Sequence, residues 1–293
     1  MPTESIQFSV VVPTYNRPKS LTRCLNAIEQ LSFDRALFEV IIVDDGSTLP
    51  LEPPNTAPDL NIRWLTQTNG GAAHARNAGA AVAVGATLVF IDDDCTVHPD
   101  YLSVLSVACQ QHPNNMLGGS VVNRYSTDIY AETTQQLVTF LREADLRSDD
   151  TPKFFSSNNM LMSKADFVAF GGFNAQMRLG EDREFCFRWC TENRPMQYIP
   201  QAIVYHWHAL SFIEFWQLHV RYGRGSAHSR RLHTRPTQNI IRIEPLRFYV
   251  RLLLFPFKTQ PWHKACPDTM LLFIAQIATL VGYGWHFLET IRD

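Results

Sequence analysis

The chain has 293 residues, 45% of them hydrophobic and 18% charged, with a formal net charge of −2. This excludes a disordered or fibrous polypeptide and suits one large α/β domain or a domain with an appendage. The near-neutral total hides an asymmetry: residues 1–205 carry 15 Lys/Arg against 23 Asp/Glu, whereas residues 206–264 carry 10 against 2. An acidic body joined to a basic C-terminal part suits a phosphorylated ligand or an anionic membrane surface. No aromatic-interleaved basic motif or zinc spacing supports a nucleic-acid partner. The six cysteines are scattered without a C-x-x-C, which argues for reduced thiols. No charged n-region precedes the first apolar run, and the expected setting is cytoplasmic.

Residues 8–12 form an apolar strand that ends in Pro13-Thr14-Tyr15-Asn16. Pro18 opens a helix in which Leu21, Cys24, Leu25, Ile28 and Leu31 recur at helical spacing. Residues 40–43 are a second buried strand, stopped by Asp44-Asp45-Gly46-Ser47, and Asp44 is read as support for that turn. Residues 49–58 are a Pro-rich surface loop, and residues 62–65 a third short strand. Gly70-Gly71 lead into a helix of small residues over 72–84, able to approach the sheet or a ligand closely. Residues 87–91 are a strand, apolar from Leu88 on, running into Asp92-Asp93-Asp94, followed by a helix with Leu102, Leu105 and Cys109 on one face.

Strand and helix alternating at short intervals argue for a right-handed parallel α/β sheet, in which ligands bind beyond the carboxyl ends of the strands. Three such ends carry Tyr15, Asp44-Asp45 and Asp92-Asp93-Asp94. Three adjacent carboxylates repel one another unless a cation sits among them, and hard oxygen donors select Mg²⁺ or Mn²⁺ shared with a phosphate. A turn before a helix started by Pro99 accounts for one or two of these acids but not all three. No G-x-G-x-x-G follows the first strand and no G-x-x-x-x-G-K-[ST] occurs.

Val10-Val11-Val12-Pro13-Thr14-Tyr15-Asn16-Arg17, Val43-Asp44-Asp45-Gly46-Ser47, Ala75-Arg76-Asn77-Ala78-Gly79 and Asp92-Asp93-Asp94, in that order, resemble a family 2 glycosyltransferase. The resemblance covers residues 8–208. It implies the GT-A fold, a mixed and mainly parallel Rossmann-like sheet flanked by helices, with metal dependence and inversion at the anomeric carbon. It also implies roles for individual residues. Tyr15, after Pro13, would stack on a nucleotide base, and Asp45 would accept from its N–H edge. Arg76 would lie near the base or diphosphate, Asp93 would hold the ribose, and Asp94 with Asp92 would bind the metal. Ordinary surface packing stays open for Tyr15 and Arg76.

Further on, residues 116–124 read as a strand, a polar helical region runs to residue 147, and residues 148–152 form a loop. Residues 154–162 read as a strand of a mixed sheet. Gly171-Gly172-Phe173-Asn174 and Gly180-Glu181-Asp182-Arg183-Glu184 again match the family, in which the second segment supplies the general base. An acceptor hydroxyl needs a positioned carboxylate to take its proton. Asp182 is assigned that role with Glu181 behind it, a helix N-terminus helping to keep it ionised; charge complementarity on a buried helix is the plainer alternative. Asn159 and Gly172 are placed on the acceptor or diphosphate side. After a strand at 203–205, His206 and His208 project to one side, and His208 is favoured as the one near the metal.

Residues 1–208 are read as the catalytic domain and 209–293 as a helical, basic and amphipathic C-terminal extension. Ser211-Phe212-Ile213-Glu214 is a capping-box pattern. Arg221-Tyr222-Gly223-Arg224-Gly225 suggests a glycine-hinged loop whose Arg221 and Arg224 close over a diphosphate, a solvated basic face being the other reading. Residues 246–257 mix Arg247 and Arg251 with apolar residues, as in an interfacial segment. Residues 270–288 are apolar enough for a spanning helix, but a helix packed on the domain, at a dimer interface or on a membrane surface is preferred. The expected activity moves a sugar from a nucleoside diphosphate, UDP first and dTDP second, to a carbohydrate or lipid-linked hydroxyl, with peripheral association with the inner face of the membrane. A nucleotidyltransferase would need a glycine-rich basic loop after the first strand, and a non-catalytic nucleotide-sugar-binding scaffold would not need Asp182.

Overall fold

The computed structural model describes residues 5–49, 51, 60–125, 127–149, 154–233 and 245–292. The strands are β1 (Phe8–Thr14), β2 (Phe38–Asp44), β3 (Ile62–Thr66), β4 (Thr87–Phe90), β5 (Cys95–Val97), β6 (Met116–Asn123), β7 (Met160–Ser163) and β8 (Met196–His206). Among the described residues they form one sheet in the order β3-β2-β1-β4-β7-β6-β8-β5. Its first half is parallel, with β1 between β2 and β4 and β2 against β3, while β4–β7, β6–β7 and β5–β8 run antiparallel. The apolar runs of β1 and β2 are buried on both faces, which is why they read as continuous rather than alternating. This is the mixed, mainly parallel sheet expected of the sequence.

The helices are α1 (Pro18–Glu29), α2 (Ala72–Val82), α3 (Tyr101–Gln111), α4 (Ile129–Asp149), α5 (Lys164–Ala169), α6 (Glu181–Thr191), α7 (Phe212–His233), α8 (Leu246–Leu254), α9 (Pro256–Thr259) and α10 (Trp262–Arg292). Helices α1 and α3 bury Leu21, Leu25, Leu102 and Leu105 against one face of the sheet, with Val10, Val12, Val40 and Val89. Small α2 lies on the other face, where a Cβ at Gly79 would come within 2.5 Å of Val11 Cγ1. Phe167, Phe173, Phe185 and Trp189 complete that second core with Val11, Val43 and Phe90.

The chain divides into two compact units: residues 1–122 with 145–207, and residues 123–144 with 208–293. The sequence reading assigned residues 1–208 to one domain, whereas Asn123–Ala144, most of it in α4, belongs to the helical unit. Within that unit α7 lies along α10 at backbone contact: a Cβ at Gly223 would sit 2.0 Å from the Thr279 carbonyl oxygen, and one at Gly282 1.9 Å from that of Val220. The expected hinge loop around Arg221 and Arg224 is therefore corrected. Both arginines are exposed on the continuous helix α7, and the glycine between them permits close helix packing rather than flexibility. Residues 262–286 of α10 are long and apolar enough to cross a membrane. The loop read at 49–58 falls mostly outside the described residues, as do residues 150–152 of the one at 148–152; Ser148 and Asp149 end α4.

Candidate active site

Parallel pairing brings the carboxyl ends of β1, β2 and β4 to one edge of the sheet, Thr14 level with Asp44. The ends are then bolted together. The Asp45 amide donates to the Thr14 carbonyl at 2.9 Å, and the Thr14 hydroxyl donates to Asp93 Oδ2 at 2.7 Å. Asn16, at φ +55°, takes its amide to Ser47 Oγ (2.8 Å) and accepts from the Thr48 amide (2.9 Å). Asp44 accepts from the amide and hydroxyl of Ser47, the turn-supporting role read from the sequence. Pro13 is buried in β1, and the next turn leaves Tyr15 43% exposed.

Asp45 is buried, and its carboxylate accepts from Gln67 Nε2 (2.7 Å), the Gly70 amide (2.8 Å) and the Gly71 amide (2.8 Å). It organises the loop that leads into α2, and of its two oxygens Oδ2 carries the lighter load. Gly172, at φ +68°, lies beside Asn77 of α2, whose amide group bonds both backbone polar groups of Phe173.

The three aspartates share two arginines. Asp92 pairs with Arg76 Nη2. Asp93 pairs with Arg17 at 3.1 Å, and Asp94 takes the same guanidinium at 2.9 Å. Burial pushes the Asp93 carboxyl up to about 6 against the pull of Arg17. Arginine side chains thus already supply part of the positive charge that the sequence reading called for among these carboxylates. Arg17 is more than half exposed and held at the surface, whereas Arg76 is 3% exposed.

Arg76 is corrected by the structure. Its guanidinium is not free beside a nucleotide pocket: Nη1 bonds Glu181 Oε1 at 2.6 Å while Nη2 holds Asp92. One buried cation therefore joins the aspartate cluster after β4 to the first turn of α6. Next to it, Asp182 Oδ1 accepts from the Arg183 amide (2.7 Å) and Oδ2 from the Ser157 amide (3.3 Å). Burial raises the Glu181 and Asp182 carboxyls above their ordinary range, against the pull of Arg76. Glu181 is the more enclosed, and Asp182 the more open to solvent.

The short strand β5, missed in the sequence, decides between the two histidines. It pairs antiparallel with β8 so that Cys95 faces His206, and the Trp207 amide donates to the Asp94 carbonyl at 2.8 Å. His206 Nε2 lies 3.3 Å from Asp94 Oδ1. Although burial opposes its charge, the Asp94 carboxylate raises the imidazole above its usual value. The ligand atoms of Asp94, Cys95 and His206 lie within 4.8 Å of one another. The sequence favoured His208, and the structure puts the His206 ring beside Asp94, since alternation alone does not say which histidine meets the aspartate. Burial lifts the Cys95 thiol well up, so a carboxylate oxygen and an imidazole nitrogen are the usable donors, a pair that a divalent ion can share.

Asn159 is the remaining correction. Its side chain is consumed in the core, accepting from Tyr101 Oη (2.8 Å) and donating to the carbonyls of Ser120 (2.9 Å) and Ala202 (3.0 Å). Its neighbour Asn158 keeps a buried Oδ1 with no protein partner. Arg17 went unassigned in the sequence, where only its place two residues after Tyr15 signalled it.

The sequence model described as Glycosyl transferase family 2 matches residues 9–170, more than half of the chain. The chain belongs to glycosyltransferase family 2. It is similar to the Staphylococcus aureus poly(ribitol-phosphate) beta-N-acetylglucosaminyltransferase TarS, 31% identical over 116 residues, which are 38% of this chain and 20% of TarS. The chain thus matches about a fifth of the length of that curated relative. Among solved structures, the mannosyltransferase PcManGT of Pyrobaculum calidifontis, in complex with GDP-Man and Mn²⁺, superimposes with a TM-score of 0.63 at 18% identity, covering 97% of this chain and 88% of that one. TarS 1–349 in complex with UDP gives 0.52 at 19% identity, covering 95% and 89%. Family 2 membership and these neighbours make the fold GT-A.

Proposed function

We propose that the protein transfers a sugar from a UDP-sugar to an acceptor hydroxyl by single displacement with inversion, with a divalent ion, Mn²⁺ or Mg²⁺, on the donor side. The observation that carries this reading is the Arg76 bridge. It holds the aspartate cluster and the α6 carboxylates at a common centre, as a reaction with a departing diphosphate on one side and an incoming hydroxyl on the other requires. TarS, a relative by sequence, has been solved with UDP, and Asp45 at the end of β2 suits the imide of uracil; dTDP is the second choice.

In this reading Tyr15 offers its exposed ring to the base, beside Pro13, and Asp45 turns Oδ2 to its N–H. Asp93, anchored by Thr14, takes a ribose hydroxyl. Asp94 and His206 would hold the metal, with Asp92 kept by Arg76 as the remote acid of the triplet. When bound, the ion neutralises charge on the departing diphosphate. Arg17 swings from Asp93 and Asp94 toward the phosphates, a short step for a half-exposed side chain. Asp182 accepts the acceptor's proton on a carboxylate oxygen as the hydroxyl attacks, and its raised affinity for that proton favours the transfer. Glu181 positions Arg76 and does not touch substrate. No second carboxylate nucleophile is needed, which is why inversion follows. The acceptor is a carbohydrate or lipid-linked hydroxyl.

Calorimetric titration with UDP, dTDP and GDP, each with Mn²⁺ and with EDTA, tests the donor side. UDP binding that requires Mn²⁺ and disappears in Asp94→Ala is expected. Preference for GDP, or binding indifferent to EDTA, would overturn it.

A further inference from the structure

The second unit carries a surface that the transfer reaction does not use. Helix α8 continues into α9 through Phe255, which keeps helical backbone angles, and the side chains of this segment sort into three stripes. One stripe faces inward: Phe248, Leu252 and Phe255 pack with Phe140 and Leu272. A second faces water although it is apolar: Leu246, Val250, Leu254 and Phe257, at helical spacing, are all exposed, Leu246 by 78%. The third, one residue on from the second, is basic and exposed: Arg247, Arg251 and Lys258. Trp262, 75% exposed, follows at the start of α10. Residues 245–264 hold four Lys/Arg and no Asp or Glu.

Two occupants of an apolar stripe edged with cations deserve comparison. A second copy meeting the same face about a two-fold axis would bring the basic stripes together with no acid in the segment to pair them. An anionic bilayer surface reverses that sign: the apolar stripe enters the acyl boundary while the guanidinium and ammonium groups meet phosphate headgroups. Nine residues are too few to span, so the helix would lie in the plane of the interface. We infer that α8–α9 and Trp262 form a docking surface for an anionic lipid bilayer. The surface would bring the enzyme into the same two-dimensional phase as a lipid-linked acceptor, the part of this inference that rests on the proposed function.

The test is co-sedimentation of the full chain with vesicles of phosphatidylcholine containing about one third phosphatidylglycerol, against phosphatidylcholine alone. The protein is expected to pellet with the anionic vesicles and several-fold less with the neutral ones. The double variant Val250→Glu/Leu254→Glu, whose side chains already face water, should keep its melting temperature and lose binding by about tenfold or more. Arg247→Gln/Arg251→Gln should lose the preference for anionic vesicles. Equal pelleting by wild type and the glutamate variant, or none with either vesicle, would overturn the inference. So would a wild-type dimer that the glutamate variant turns into a monomer, since the face would then be a self-interface. None of these measurements depends on transfer activity, so the surface and the proposed reaction fail separately.

Discussion

The two units treat polarity in opposite ways. In the sheet-bearing unit, charged groups are buried: Asp45, Asp93, Arg76 and Glu181 lie at one sheet edge and bond to one another, to backbone amides or to neighbouring side chains. In the helical unit, large apolar side chains are left outside: Leu246, Val250, Leu254 and Trp262 on α8 and α10, and Met270, Phe273 and Leu280 further along α10. Burying charge is unfavourable unless every group is answered, so such an arrangement points to chemistry. Exposing apolar stripes is unfavourable in water, so it points to a partner surface. Substitutions should therefore act differently in the two halves.

The largest expected effect belongs to Asp182. Asp182→Asn should lower transfer by about 10²–10⁴-fold while leaving metal-dependent nucleotide binding and the melting temperature in place. A variant that keeps its rate would move the base elsewhere. The same carboxylate sets the pH dependence. Burial holds Asp182 above the ordinary aspartate range, and only its ionised form accepts a proton, so kcat/KM should fall on acidification below that raised pKa. The stability sign is the reverse. A carboxyl whose folded pKa is raised binds its proton more tightly in the folded state, so its contribution is fully present below the unfolded pKa and is lost as pH rises through the folded one. Titration of Asp182 and Glu181 therefore cannot unfold the protein on the acid side, and an acid limb accompanied by loss of near-UV circular dichroism would count against this assignment.

Next in size is Arg76. Arg76→Met would leave the carboxylates of Asp92 and Glu181 without their shared partner and should cost about 3–5 kcal/mol in chemical denaturation. Arg224→Met, on the exposed face of α7 over the Trp285 ring, should cost about 1 kcal/mol or less. Similar losses at both positions would erase the contrast between a buried junction and a solvated face.

These residues show what could be read in advance. The strands β1, β2 and β4 were legible because doubly buried parallel strands are unbroken apolar runs, and their polar ends located the site. Asp182 was singled out by the resemblance of its segment to the one that supplies the family's general base, while the acids crowding the first turn of α6 read equally as charge complementarity on a helix. Other features depended on long-range pairing. The segment Cys95-Thr96-Val97 is too short to announce a strand, yet its register with β8 puts His206, not His208, against Asp94. Arg76 sits in a segment that looked ligand-facing, but its partners are 16 and 105 residues away. Asn159 fails for the same reason, its three bonds joining the core from Tyr101, Ser120 and Ala202. Gly223 misled because a glycine between arginines has the same composition in a hinge as in a helix crossing.

That crossing gives the third prediction, within the helical unit. Gly223→Ala must push its Cβ against the Thr279 carbonyl and part α7 from α10, at about 1–3 kcal/mol. Gly284→Ala, two positions beyond Gly282 on α10, meets nothing within 4 Å and should stabilise by about 0.5–1 kcal/mol through helix propensity alone. Opposite signs in thermal denaturation would establish that the first glycine serves packing. Equal destabilisation would return it to the hinge reading.

The smallest effect is the most informative about the donor side. Arg17 lies on Asp93 and Asp94 with one guanidinium nitrogen, a positive charge beside the carboxylate that would hold a metal ion. It thus competes with the ion before the donor arrives and, in the proposed mechanism, turns to the phosphates afterwards. The two roles predict opposite consequences of one change. In Arg17→Gln, Mn²⁺ alone should bind about two- to fivefold tighter, since an exposed ion pair contributes about 1 kcal/mol or less. UDP in the presence of Mn²⁺ should bind more weakly, because the diphosphate loses a charge-assisted donor. Tighter binding of both would make Arg17 only a competitor of the metal. Weaker binding of both would make it a support for the aspartates, and the metal would then owe its place to the Arg17-ordered geometry of Asp94 rather than to its charge.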